Sequence, residues 1–111
     1  MTPERQRIAI AEACGWTYSP YAPLELKHQA TACWFPPKYT GHHEQEVPDY
    51  LNDLNAMHEA EKVFRTRHTT DFIEMRNWLF EICGRNADFA WHATAAQRAE
   101  AFLRTLNLWK I

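Results

Sequence analysis

Glycine is scarce in this 111-residue chain, at three positions, and their isolation excludes the glycine-rich loops that cradle phosphates. Cysteine is equally sparse. Cys14, Cys33 and Cys83 are odd in number, far apart and without a C-x-x-C pair, so they read as buried thiols in a reducing compartment. An excess of charge is missing too. With 12 Lys and Arg against 14 Asp and Glu the net charge is -2, which leaves no global positive field to attract nucleic acid. No apolar run approaches the ~18 residues of a membrane span, and Met1-Thr-Pro-Glu-Arg-Gln-Arg7 turns polar at once, without the apolar core of a secretory leader. These absences predict a cytoplasmic protein that uses neither membrane nor nucleic acid as its partner.

Apolar residues make up 46% of the chain and aromatics 14%, which suits one small soluble domain over residues 1–111. A core of that size buries roughly two-thirds of the surface the unfolded chain exposes, without metals or disulfides.

Four helices are legible. Thr2 as N-cap, Pro3 at the first helical position and Glu4 in the first turn open the first; Ile8, Ile10, Ala11, Ala13 and Cys14 form its stripe and Gly15 ends it. Asn52 is placed as N-cap of a second helix over 53–64, with Leu54, Met57, Ala60 and Val63 facing one way. Asp71 with Glu74 makes a capping-box pattern for a third, whose stripe is Phe72, Met75, Trp78, Leu79 and Ile82 and whose stop is Gly84. Thr94 with Gln97 opens the last, with Ala95, Ala99, Phe102, Leu103 and Leu106 on one face. Leu108-Trp109 then closes over the core. Strands are expected at Trp16–Tyr18, within Ala30–Phe35, and at Phe89–His92, where apolar and polar residues alternate. Every proline but Pro3 falls between residues 19 and 50, a connection long enough to suggest a functional loop. The fold class is therefore α+β: a small antiparallel or mixed sheet of about three short strands covered by four helices, an α/β/α sandwich.

At Val47-Pro-Asp-Tyr-Leu-Asn-Asp-Leu, continuing to Val63, the chain resembles the phage ABA-sandwich domain family of small phage and prophage proteins, and is similar also to NinX-type phage proteins. Cys14-Gly-Trp-Thr17 and Ala93-Thr-Ala-Ala-Gln-Arg, continuing to Leu106, extend the resemblance over nearly the whole chain. It implies a phage or prophage origin and the sandwich fold, and it carries over no catalytic residue.

Chemistry has four places to reside. His42 and His43, with Glu44, Glu46 and Asp49 after them, offer imidazole and carboxylate groups of the types zinc accepts, while His58-Glu59-Ala-Glu61 lacks the second histidine one turn on, where Lys62 stands. A solvated polar loop is the simpler account of the histidine pair, so no metal or cofactor is assigned. Cys14 and Cys83 fall on helical stripes, and Cys33 has no activating neighbour, so thiol catalysis is not expected. Lys62, Arg65, Arg67 and His68 follow an acidic stretch. They complement a helix C-terminus, or Arg65 and Arg67, with Arg76, bind a phosphate. Lastly, Trp16, Tyr18, Tyr21, Trp34, Phe35, Tyr39 and Tyr50 all precede the second helix; about half are expected in the core and the rest on a recognition face. Asp49, Tyr50 and Asp53 add hydrogen-bonding groups there.

The expected function is non-enzymatic binding of a host or phage protein during infection, in a counter-defence role, through the aromatic, proline-rich loop. Its candidate contacts are Trp34, Tyr39, His42, His43, Asp49, Tyr50, Asp53, Arg65 and Arg67. Sequestration of a nucleotide-like small molecule in an aromatic pocket is one alternative; a small metal-dependent hydrolase at His42-His43 is another. An exposed aromatic patch also admits a homodimer.

Overall fold

A computed structural model describes residues 1–18, 34–37, 45–66 and 69–110, without the side chains of residues 65, 66 and 69. Thr2 caps the first helix, α1 (Pro3–Ala13), its hydroxyl accepting the Arg5 N–H at 3.2 Å. At the far end Gly15 adopts φ +97°, and the Gly15 and Trp16 N–H groups bond back to Glu12 and Ala11. That left-handed cap turns the chain straight into β1 (Thr17–Tyr18). β1 pairs antiparallel with β2 (Trp34–Phe35), Thr17 opposite Phe35 and Tyr18 opposite Trp34. On the free side of β2, Trp34 and Gln45 exchange both backbone hydrogen bonds, at 3.1 and 2.7 Å. A sheet this short has no independent stability and depends on the helices behind it.

The expected second helix is α2 (Leu54–Glu61), and it continues as a 3₁₀-helix over Lys62–Thr66. Its cap is Asp53, not Asn52. The Asp53 carboxylate accepts the Asn55 and Ala56 N–H groups at 3.0 and 3.2 Å, while the Asn52 amide is drawn back to the Asp49 carboxylate at 3.0 and 3.1 Å. A carboxylate also complements the helix dipole, which the amide does not. α3 (Thr69–Ile82) starts two residues before Asp71, which therefore sits in the first turn instead of capping it.

The third strand expected at Phe89–His92 is instead a short helix, α4 (Ala87–Trp91). Gly84 at φ +73° and Arg85 at φ +59° end α3, and the Asn86 side chain then accepts the Asp88 and Phe89 N–H groups. That cap commits the next residues to helical backbone, and four residues of alternation are too few to oppose it. α5 (Ala95–Thr105) opens on the predicted reciprocal capping box between Thr94 and Gln97.

The described fold is thus mixed α+β and mostly helical, with five α-helices and a two-stranded antiparallel sheet among the described residues. Its centre is α5, against which α1, α2 and α3 all pack. Phe102, Leu103, Ala99 and Ala101 of α5 are fully buried and meet Ile10, Met57, Phe64 and Val47. Asn107, at φ +59°, ends α5, so that Leu108 and Trp109 fold back onto the core as expected. Arg104 fixes this tail, its guanidinium lying 5.1 Å from the Trp78 ring and 5.2 Å from the Trp109 ring. Among the described residues no helix is long and apolar enough to cross a membrane.

Candidate functional site

Of the residues expected to form a recognition face, the described aromatic ones are buried. Trp34 is only 6% exposed, in edge-to-face contact with Tyr18, and Tyr50 only 3% exposed. Both are members of the buried core cluster. Neither can present a face to a partner, which corrects their assignment as contacts. Tyr39, His42, His43 and Arg67 lie outside the described residues, as does the side chain of Arg65. Asp53 is occupied as the α2 cap. Asp49 is exposed, holding Asn52 and lying 3.9 Å from Arg7. Among the described residues no three His, Cys, Asp or Glu side chains are grouped so as to hold a metal ion.

Around Tyr50 the chemistry is quiet. The Tyr50 hydroxyl hydrogen-bonds to the Cys14 thiol, and burial pushes Cys14 up to about 11. Burial first, then the neighbouring Cys14, holds the Tyr50 phenol far above its ordinary range, although a hydrogen bond from Trp16 and the charge of Arg7 oppose this. Burial likewise raises Cys83. Cys14 and Cys83 are thus protonated at neutral pH. All three groups lose protons more easily unfolded than folded. For Cys14 the contribution to stability is therefore complete below about pH 9 and declines as pH rises toward 11. Thermal unfolding between pH 7.5 and about 10.5 is expected to show a falling midpoint, with a shallower fall in Cys14→Ala. Parallel curves for the two proteins would show that Cys14 carries none of the effect.

Beside this region, Arg7 ties the segment 46–49 to α1. Its guanidinium donates to the Val47 and Pro48 carbonyls at 2.6 and 3.2 Å and to the Glu46 carboxylate at 3.2 Å. A short, irregular connection thereby has a defined path into α2.

The open surface lies elsewhere, between α3 and α4. A groove of about 830 Å³ has Ile73, Leu79, Phe80, Ala87, Ala90 and Trp91 as its apolar lining. Its polar groups are His58, Arg76, Asn77 and Arg98. Trp91 is 84% exposed and Ile73 56%. No residue of α4 is buried.

The two arginines at the groove differ. Arg98 grips the Glu61 carboxylate with both arms, Nε to Oε1 at 2.7 Å and a terminal nitrogen to Oε2 at 2.9 Å, and His58 Nδ1 lies 3.3 Å from the same Oε2. Its charge is answered inside the fold. Arg76 has no ion-pair partner among the described residues. Comparison with protein-family models, curated proteins and solved structures returned no match to this chain. The reading of the site rests on its own residues.

Sequence reasoning missed this groove because it assigned α3 a single stripe. Ile73, Arg76, Asn77 and Phe80 follow the i, i+3, i+4, i+7 spacing and so share a second face, two of whose four residues are large and apolar. That second apolar pair was the available signal.

Proposed function

We propose that this chain is a small phage-encoded, non-enzymatic binding protein that engages a host or phage protein during infection, in a counter-defence role in the host cytoplasm. The observation that carries the binding reading is Trp91 standing exposed at the lip of an apolar groove, with Ile73 and Phe80 uncovered around it. Apolar side chains gathered in this way on a small domain mark a contact surface, and tryptophan and arginine are both enriched among interface residues of large effect. The residues from Val47 to Val63, with their likeness to the phage ABA-sandwich family, support the origin. That family's α/β/α layout is part of the proposal, with the bridge at Gln45 as the seed of a third strand on β2.

The groove takes over the anchoring role expected of Trp34. The test is affinity capture from phage-infected lysate with the chain and its Trp91→Ala variant, followed by calorimetry on the recovered protein. Trp91→Ala is expected to weaken binding by about 30-fold or more, with folding stability within about 0.5 kcal/mol of the parent, since the ring is not part of the core. Equal capture by parent and variant, or none by either, would defeat the reading.

A further inference from the structure

We infer that the partner segment seated in the α3–α4 groove is an amphipathic helix whose apolar ridge is flanked by Asp or Glu side chains. This rests on the proposed protein-binding role and specifies its chemistry. The argument is charge complementarity combined with spacing. Among the described residues the groove is lined by His58, Arg76 and Arg98 and by no carboxylate. Glu61 answers Arg98 from within, so Arg76 is the cation left to seek an external counter-charge, with the Asn77 amide beside it as a further donor. Glu74 and Glu81 of α3 project from a different side of the helix: at 100° per residue they lie about 80–100° around the axis from Ile73, away from Arg76.

Spacing selects the form of the segment. Ile73 and Phe80 are seven residues apart on α3, two helical turns or about 10.5 Å, which matches the repeat of an apolar ridge on a facing helix. β1 and β2 do not line the groove, so an added strand finds no sheet edge here, and side chains must supply the affinity. An apolar ridge covers Trp91, Ile73 and Phe80 while a flanking carboxylate reaches the Arg76 guanidinium in a two-pronged hydrogen bond.

The experiment selects binders to the full chain from a displayed library of random peptides about 16 residues long, enough for roughly four helical turns. Enriched peptides are expected to carry apolar residues at i, i+3 or i+4, and i+7 with flanking Asp or Glu. Synthesised singly, they should bind at least tenfold more weakly to Trp91→Ala and to Arg76→Glu. Changing the flanking acid of the peptide to Lys should restore binding to Arg76→Glu. Peptides that need Trp91 but ignore the sign at position 76 would overturn this inference and leave the protein-binding role standing. Absence of any Trp91-dependent peptide would overturn both. Concentration-dependent dimerisation abolished by Trp91→Ala would instead assign the groove to a second copy of the chain and likewise overturn the inference. Circular dichroism of both variants, expected to match the parent, separates lost contact from lost fold.

Discussion

Arg98→Ala is expected to destabilise the chain by about 3–5 kcal/mol, among the largest effects of any single substitution, because it strands a charge. The Glu61 carboxylate is buried on the inner side of α2, and both of its oxygens are held by the Arg98 fork from α5. With that fork removed, only the half-exposed His58 faces it, at 3.3 Å. The penalty is desolvation of an unanswered anion and not the loss of a strong bond, so replacing both partners should behave differently. Glu61→Met with Arg98→Met is expected to fall within about 1–2 kcal/mol of the parent, since the apolar pair removes the cost together with the contact. Urea unfolding, read as a shift in midpoint at constant slope, measures both. If Arg98→Ala alone unfolds at the parental midpoint, water reaches Glu61 and the pair is a surface one.

Phe102→Ala should cost a similar about 3–5 kcal/mol by another route, the opening of a cavity in a packed core. Phe102 is fully buried at the middle of α5, its ring centroid 5.0 Å from that of Phe64, which in turn meets Phe72 at 5.7 Å. These rings join α5, the 3₁₀-helix and α3, so no neighbour can move in without leaving its own helix. Domains of this size are stable by about 5–15 kcal/mol, so the variant should be partly unfolded at physiological temperature. Its expected signature is a sharply lowered calorimetric midpoint. Phe102→Leu should recover most of the loss, since it refills much of the volume. A midpoint unchanged in Phe102→Ala would mean that α5 is not the centre of the core.

The caps were readable because each depends on a hydrogen bond spanning two or three residues. Thr2, Thr94 with Gln97, Gly15 and Gly84 act where their positions along the chain indicate. Asn52 and Asp53 show the limit of that method. Both are capping residue types, and the choice between them fell to Asp49, whose carboxylate draws the Asn52 amide away. At Phe89–His92 a similar competition went to the Asn86 cap over a short alternation.

The candidate site was less legible than the helices. Trp34 and Tyr50 are aromatic residues in or beside irregular segments, and nothing local distinguishes a ring that seals a sheet from one that meets a partner. Trp91 presents the reverse case: it reads as one face of a strand, yet stands in solvent on a helix too short to bury anything.

By itself, then, the chain order of residues settled where most helices begin and end, the inward-facing centres of their stripes, and that Cys83 is a buried thiol, since these follow from periodicity and from bonds between near neighbours. It did not show that Leu54 and Phe72 are exposed or that Cys14 is only half-buried. Only the tertiary structure decided which aromatic rings are covered, that Glu61 and Arg98 meet 37 residues apart in sequence, and that α3 and α4 leave a groove between them. Those outcomes depend on how one helix lies across another, and that placement is governed by contacts between residues far apart along the chain.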